Sequence, residues 1–340
     1  MSKFSRNKFM METQREENVD QIIEGLLKGD RMMLSRAITL IESQAGRHKK
    51  QAEEILQRIM TRSGNSIRIG ISGVPGAGKS TLIESLGLHL CKQGYQVAVL
   101  AVDPSSAVHG GSILGDKTRM EQLSKHPNAF IRPSPSGGRL GGVHLRTRET
   151  IFICEAAGYN VILVETVGVG QSEVMVRDMV DFFMLLVLTG AGDELQGMKK
   201  GIMEFADAVI INKADGPNAE AAKKTQREYQ QILQFLQPAA NDWVRPALTC
   251  SALYGEGIEQ IWKTVLEFEK TTKESGLFYN NRNIQAKAWL YTNIREKLET
   301  DFFSHEKIKN LIPDIEKKVL EEKMTVTKAS KILFNAFYGK

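Results

Sequence analysis

The feature that most constrains the fold of this chain is a glycine-rich segment, Gly73-Val74-Pro75-Gly76-Ala77-Gly78-Lys79-Ser80. It matches the pattern G-x-x-x-x-G-K-[ST], follows a β-branched run at residues 67–72 and precedes a helical pattern that begins at Thr81. Glycines let backbone N–H groups curl around phosphate oxygens, and the helix N-terminus adds its positive dipole end. The segment therefore predicts a phosphate-binding loop from Gly73 to Thr81, in which Lys79 reaches the β- and γ-phosphates and the Ser80 hydroxyl binds Mg²⁺.

Short apolar runs alternate with helical patterns through the middle of the chain. The runs that we expect to be strands lie at residues 67–72, 96–102, 129–132, 161–164, 184–188, 208–211 and 246–250. This alternation predicts an α/β fold with a mostly parallel sheet flanked by helices. Helical patterns without strands come before and after it. We therefore expect an N-terminal helical extension at 1–65, an α/β domain at 66–273 and a C-terminal helical arm at 274–340.

Composition excludes several classes of protein. The chain has 340 residues, 42% hydrophobic and 25% charged, which is the balance of a globular protein rather than a disordered one. No uncharged apolar stretch approaches the roughly 18 residues of a membrane helix, so we expect no membrane partner. Three separated cysteines predict a reduced, cytoplasmic compartment. A net charge of +5 is mild for this length and predicts no nucleic-acid partner.

A second motif, N-K-x-D, ends the predicted strand at residues 208–211. The Asp215 carboxylate can accept hydrogen bonds from N1–H and the 2-amino group of guanine, whereas adenine would leave it unpaired. Asn212 can support the loop and the base edge, and the stem of Lys213 can lie over the ring. The triplet Ser251-Ala252-Leu253 follows the last predicted strand, where a backbone N–H can meet guanine O6. With the phosphate loop, these motifs predict that the bound nucleotide is GTP or GDP.

Carboxylates follow two further predicted strands. Glu165 ends the run at 161–164, and Gly168, three residues later, can donate its N–H to the γ-phosphate. Common small G proteins carry Asp at the position of Glu165, and the longer side chain more naturally holds Mg²⁺ through water. Asp103 ends another strand and is predicted to bind the metal. Asp116 is predicted either as a metal ligand or as the N-cap of a following helix.

The predicted hydrolysis machinery lacks one side chain that small G proteins use. Val169 rather than Gln follows Gly168, so the Gln that orients the attacking water is missing, and we expect slow intrinsic hydrolysis.

The glycine-rich segment 190–200 follows a strand at the carboxyl edge of the sheet, from where Lys199 could move toward the phosphates. The predicted catalytic set is Lys79, Asp103, Glu165 and Lys199.

Four segments in this order resemble the MeaB/ArgK family, whose members are GTPases that act as chaperones of adenosylcobalamin-dependent methylmalonyl-CoA mutase. They are residues 73–81, Val102-Asp103-Pro104-Ser105-Ser106, residues 165–173 and Asn212-Lys213-Ala214-Asp215. The resemblance extends from about residue 20 to about residue 270.

The resemblance implies a P-loop GTPase fold and a homodimer formed through the C-terminal helices. It implies GTP hydrolysis coupled to cofactor loading and to protection or reactivation of a methylmalonyl-CoA mutase or a related acyl-CoA mutase. It also implies that segment 190–200 senses the partner, through residues that include Gln196 and Lys199. The implied Mg²⁺–phosphate centre consists of Lys79, Ser80, Asp103, Asp116 and Glu165.

Two other functions stay open at this point. A nickel-delivery GTPase would carry Cys and His ligands beside its nucleotide motifs, and here Cys154 and His144 are isolated in the sequence. A kinase of a periplasmic amino-acid-binding protein, an older label of the same family, would need a base for the phosphate acceptor, and no motif supplies one.

Overall fold

The computed structural model describes residues 19–43, 45–102, 120–133, 140–166, 172–189, 201–236 and 243–339. The strands are β1 (Ile67–Gly73), β2 (Val97–Val102), β3 (Ala129–Arg132), β4 (Val161–Thr166), β5 (Phe182–Val187), β6 (Ala208–Ile211) and β7 (Ala247–Thr249). The α-helices are α1 (Val19–Leu27), α2 (Arg31–Glu42), α3 (Gly46–Ile59), α4 (Lys79–Lys92), α5 (Glu121–Lys125), α6 (Leu140–Ala156), α7 (Ser172–Arg177), α8 (Ala219–Phe235), α9 (Ile258–Glu274), α10 (Leu277–Ser304), α11 (Glu306–Leu320) and α12 (Val326–Phe337).

The seven strands form one sheet in the order β3-β2-β4-β1-β5-β6-β7. Every neighbouring pair is parallel, which confirms the predicted α/β class. The strand β1, which carries the glycine-rich segment at its end, lies in the centre between β4 and β5. Because all strands run in the same direction, their carboxyl ends lie at one edge of the sheet.

Both faces of the sheet are buried, as continuous apolar strands require. Residues 161–164 of β4 are all fully buried, and successive side chains alternate between two separate cores. One core includes α4 and α9, and the other includes α6 and the N-terminal helices α1 to α3.

The N-terminal helices are built as the sequence pattern predicts. The carboxylate of Asp30 accepts hydrogen bonds from the N–H groups of Met32 and Met33 and so caps α2. Apolar residues at helical spacing are buried on α1, α2 and α3, and these helices pack on α6. They therefore extend the sheet's second core rather than forming a core of their own.

The start of β1 is held by a buried ion pair at the edge of the sheet opposite the glycine-rich loop. The Arg68 guanidinium donates to both carboxylate oxygens of Glu155, at 2.8 and 3.0 Å. The same carboxylate accepts from the Gly64 N–H and the Ser66 hydroxyl, each at 2.7 Å. Four donors thus offset the cost of burying the Glu155 charge.

The chain divides into two compact units, Met1–Asn281 and Arg282–Lys340, with the boundary inside α10. In the second unit, α11 and α12 pack together, and the Phe302 ring contacts those of Phe334 and Phe337. Phe278, before the boundary, is buried in the core of the first unit. The three-part division at residues 65 and 273 stays a prediction.

No helix within the described ranges is both long enough and apolar enough to cross a membrane.

Candidate functional site

The glycine-rich segment links the end of β1 to the start of α4. Gly78 is the N-cap of α4 and has a φ of 88°, a left-handed conformation that glycine adopts without strain. The Lys79 side chain folds back over the loop, so that its Nζ donates to the carbonyl of Gly73 at 2.8 Å and of Val74 at 3.3 Å. Lys79 is only 8% exposed. The loop therefore holds a buried ammonium group where the sequence predicts the phosphates.

The electrostatic environment of Lys79 has two opposing parts. Burial lowers the pKa of Lys79 below its ordinary value, and the carboxylates of Glu165 and Glu173 act against that change. A phosphate bound beside the ammonium group would act in the same direction as the carboxylates. The two carboxylates and a bound phosphate would therefore all favour the protonated, charged form of Lys79.

Glu165 reaches the loop from the neighbouring strand. It is opposite Ile71 of β1 and Ala101 of β2, and its Oε1 accepts a hydrogen bond from the Ser80 hydroxyl at 3.1 Å. The structure therefore brings together two of the residues that the sequence assigns to Mg²⁺. Hydroxyl and carboxylate oxygens are the hard ligands that Mg²⁺ prefers, so this pair fits the ion.

A contact that the sequence does not reveal ties the same two strands together. The Thr166 hydroxyl, at the end of β4, donates to the Ser72 hydroxyl at 3.0 Å, and both residues are buried. This bond joins the strand that delivers Glu165 to the strand that carries the glycine-rich loop. The contact depends on the pairing of two strands that are distant in sequence, so the sequence alone does not identify it.

Asn212, the first residue of N-K-x-D, joins three loops. Its Nδ2 donates to the carbonyl of Ala77 in the glycine-rich loop at 2.8 Å. Its Oδ1 accepts from the N–H of Ala252 at 3.1 Å and from the Cys250 thiol at 3.3 Å. A Cβ atom at Gly78 would clash with the Asn212 amide nitrogen, so a close approach and a left-handed backbone both require glycine there.

The rest of the N-K-x-D loop is held by hydrogen bonds to the neighbouring segments. Lys213 adopts a φ of 60°, and its carbonyl accepts from the Asn218 side chain at 2.7 Å. The N–H of Ala214 donates to the carbonyl of Cys250 at 3.0 Å. The Asp215 carboxylate accepts from the Ser251 hydroxyl at 2.8 Å. Ser251 thus orients the group that the sequence predicts to read guanine.

The triplet Ser251-Ala252-Leu253 lies beside Asn212 and Asp215, as expected. Two N–H groups of the triplet donate hydrogen bonds within the protein. The Ser251 N–H donates to the Glu256 carbonyl, and the Ala252 N–H donates to the side-chain oxygen of Asn212. The Leu253 side chain is largely exposed. The sequence predicted the position of this loop but not the role of the Ser251 hydroxyl.

Several predicted site residues cannot be placed. Asp103, Asp116, Gly168 and the segment 190–200, which contains Lys199, lie outside the described residues. Among the residues that the structure does describe, no three His, Cys, Asp or Glu side chains form a group that could hold a metal ion.

The three cysteines, Cys91, Cys154 and Cys250, are free and buried. Burial raises the pKa of each thiol, to about 11 for Cys91.

Sequence comparison finds relatives along most of the chain. The sequence matches the family described as methylmalonyl Co-A mutase-associated GTPase MeaB over residues 34–307. GTPase ArgK of Escherichia coli K12 is 46% identical over 291 residues, which are 86% of this chain and 88% of ArgK. The mouse protein named methylmalonic aciduria type A homolog, mitochondrial, is 45% identical over 332 residues, 95% of this chain and 80% of that protein.

A solved structure shares the fold. The crystal structure of a LAO/AO transport system kinase has a TM-score of 0.75 and 36% sequence identity to this chain, and the match covers 96% of this chain and 99% of that one.

Asn212→Ala tests the connection between the loops. The substitution leaves the Ala77 carbonyl and the Ala252 N–H without their buried partner, at a cost of about 1–3 kcal/mol. We expect GDP affinity, measured by calorimetry, to fall by about tenfold to a hundredfold, with a folded protein by circular dichroism. Asn335→Ala, at an exposed position of α12, is the control and should bind GDP like the parent. Unchanged GDP affinity of Asn212→Ala would show that the loops do not depend on this amide.

Proposed function

Because this chain belongs to the family of methylmalonyl-CoA mutase-associated GTPases and is a GTP hydrolase, we propose that it uses GTP hydrolysis to control an adenosylcobalamin-dependent acyl-CoA mutase. The observation that carries this proposal is the family match over residues 34–307, which includes both nucleotide motifs and the start of the C-terminal helices. In this proposal the protein gates cofactor loading and protects or reactivates a mutase of the methylmalonyl-CoA type.

Guanine nucleotide binding follows from the fold and the family, and we assign its recognition to Asp215. The Ser251 hydroxyl donates to one carboxylate oxygen of Asp215 and so orients the carboxylate. N1–H and the 2-amino group of guanine are two donors side by side, which matches a carboxylate. The stem of Lys213 covers the base, and Asn212 supports the loop from below.

We assign the phosphate end to Lys79 and the metal to Ser80 and Glu165. Lys79 already lies over the loop carbonyls, from where a small rotation carries its Nζ to a phosphate oxygen. Asp103 and Asp116 complete the proposed Mg²⁺ set, and Gly168 the proposed γ-phosphate contact. Bound Mg²⁺ would neutralise charge that develops on the phosphate oxygens. The chain's own residues bind, orient and shield the phosphates.

We place the coupling to the mutase in segment 190–200. In the sequence it follows β5, and β5 pairs with β6, the strand that precedes N-K-x-D. In this proposal the mutase positions Lys199 near the phosphates and supplies transition-state stabilisation that the chain lacks on its own. Intrinsic hydrolysis is then slow, and hydrolysis with the partner is faster.

We propose that the second unit forms a homodimer. Ile284, Tyr291, Ile294 and Leu298 repeat along α10 at intervals typical of a helix–helix seam, and each is exposed, Ile294 by 45% and Leu298 by 61%. An apolar row of this length facing water is typical of an interface. A second copy of the chain supplies the same row, as two-fold symmetry requires.

The other two functions lack support. A nickel-delivery protein needs a cluster of Cys and His ligands, and the described part of the chain contains none. For the kinase alternative, no motif in the sequence supplies a base for the phosphate acceptor.

Asp215→Asn tests base recognition. An amide cannot accept from both guanine donors, so we expect GTP binding to weaken by about 2–4 kcal/mol. Xanthine carries a 2-oxo group that accepts from an amide, so xanthosine diphosphate should bind the variant better than GDP. Calorimetry with both nucleotides measures the change, and Asp314→Asn on α11 is the control. A variant that keeps the parent's preference for GDP would remove Asp215 from the base site.

GTP hydrolysis with and without the mutase tests the coupling. We expect the mutase to accelerate hydrolysis by the parent, and we expect Lys199→Ala and Gln196→Ala to lose mainly the accelerated part. Lys224→Ala, an exposed lysine on α8, should behave like the parent. No acceleration of the parent would contradict the proposed partner, and full acceleration of both variants would contradict the role of segment 190–200.

Ile294→Glu combined with Leu298→Glu tests the dimer. Charges on the apolar row should leave the protein folded and monomeric in analytical ultracentrifugation, because like charges would meet across the seam. Phe235→Glu, at a position that is 89% exposed on α8, is the matched control and should leave the protein dimeric. A double variant that sediments as the parent does would place the interface elsewhere.

A further inference from the structure

The side chain of Asn218 contacts two segments outside its own helix. Asn218 lies where a short 3-10 turn, Gly216–Asn218, passes into α8. An asparagine at the start of a helix commonly accepts a hydrogen bond from an N–H group of the first turn. The structure describes the whole first turn of α8, and the Asn218 side chain accepts from none of its N–H groups. The amide is used elsewhere, and its partners indicate for what.

The Asn218 amide bridges the segments that follow two neighbouring strands. Its Nδ2 donates to the carbonyl of Lys213 at 2.7 Å, and its Oδ1 accepts from the Thr189 hydroxyl at 2.6 Å. A carbonyl can only accept, so this pairing fixes which end of the amide faces each segment. Thr189 comes two residues after the end of β5, and Lys213 comes two residues after the end of β6, the strand that pairs with β5.

Lys213 needs contacts from outside to keep its backbone conformation. It has a φ of 60°, and among the described residues Glu322 is the one other non-glycine residue with a positive φ. This left-handed region is unfavourable for a residue with a Cβ atom and persists where surrounding contacts hold it. The Asn218 amide holds the carbonyl of Lys213. The next N–H group, that of Ala214, is held by the Cys250 carbonyl at 3.0 Å.

Asn218 also holds the backbone on the other side of Ala214. Its own N–H donates to the Asp215 carbonyl at 3.1 Å. The side chain and the backbone of Asn218 therefore fix the residues just before and just after Ala214. Since each residue between them has two soft dihedral angles, the conformation of Lys213 sets the direction in which the chain presents Asp215. The contacts of Asn218 thus bear on the carboxylate that we assign to guanine.

We propose that Asn218 is a positioning residue of guanine recognition. It holds Lys213 in the left-handed conformation and so directs Asp215, while the Thr189 hydroxyl holds the amide of Asn218. Guanine affinity then depends on the segment after β5, which contributes no residue to N-K-x-D. This role rests on the proposed recognition of guanine by Asp215.

Asn218→Asp in the full-length protein tests this role. The carboxylate has the size of the amide and still accepts from Thr189, but it cannot donate to the Lys213 carbonyl. A negative charge suits the positive end of α8, so we expect the melting temperature to stay near that of the parent. We expect the Kd of GDP, measured by calorimetry, to rise about threefold to tenfold. The Kd of inosine diphosphate, which lacks the 2-amino group, should change less, so the preference for GDP should fall.

Thr189→Val and Thr189→Ser form a matched pair. Valine keeps the shape of the side chain and removes the hydroxyl, so the preference for GDP over inosine diphosphate should fall by about twofold to fivefold. Serine keeps the hydroxyl and should restore most of the preference. Asn335→Asp, at an exposed position of α12, is the control and should bind both nucleotides as the parent does.

An unchanged preference for GDP in Asn218→Asp would overturn the proposal. An equal loss of affinity for both nucleotides counts in the same way, because it would show that Asn218 only stabilises the fold. Equal preference in Thr189→Val and Thr189→Ser would overturn the contribution of the Thr189 hydroxyl. A parent that binds both nucleotides equally, together with an Asp215→Asn variant that does the same, would instead contradict the assignment of Asp215 to guanine.

Discussion

The side-chain amide of Asn212 is the contact on which the geometry of the nucleotide site depends. It donates to Ala77 in the glycine-rich loop and accepts from Ala252 in the loop after β7, while its own loop carries Asp215. Phosphates and base lie at opposite ends of a nucleotide, so the loops that we assign to them must keep a fixed separation. A buried amide with partners in two loops supplies that constraint, and leaving these partners unpaired would be costly.

A second constraint is the burial of charge at the carboxyl edge of the sheet. Lys79 is held by two carbonyls under the influence of Glu165 and Glu173, and each of these carboxylates comes from a segment that follows or ends β4. The fold thus fixes the positions of these charges, which is the arrangement that favours electrostatic stabilisation of a transition state. The phosphates of a bound nucleotide bring negative charge into this field, and Lys79 and the proposed metal offset it.

Much of this arrangement could be predicted from the sequence. The seven strands, the glycine-rich loop and N-K-x-D are encoded by short local patterns, and the structure confirms the α/β class and the mostly parallel sheet. Asp30 was recognisable as a helix cap because capping depends on neighbouring residues only.

The contacts between distant segments could not be predicted. The Ser251–Asp215 and Thr166–Ser72 bonds join residues that are far apart in sequence, and only the folded sheet brings them together. The position of Glu173 could not be predicted either, because the face of the sheet on which it lies follows from the packing of α7 against Gly70. The packing of the N-terminal helices on α6 likewise depends on tertiary contacts that a helical pattern does not specify.

The most direct test of the central claim is a double-mutant cycle between Asn212 and Asp215, read out as the Kd of GDP for the parent, Asn212→Ala, Asp215→Ala and the double variant. If the amide positions the loop that presents Asp215, the two losses overlap, and the double variant should bind GDP better than their sum predicts by at least about 1 kcal/mol. Losses that add to within about 0.3–0.5 kcal/mol would contradict the claim, because they would show that base recognition and the connection between the loops are independent.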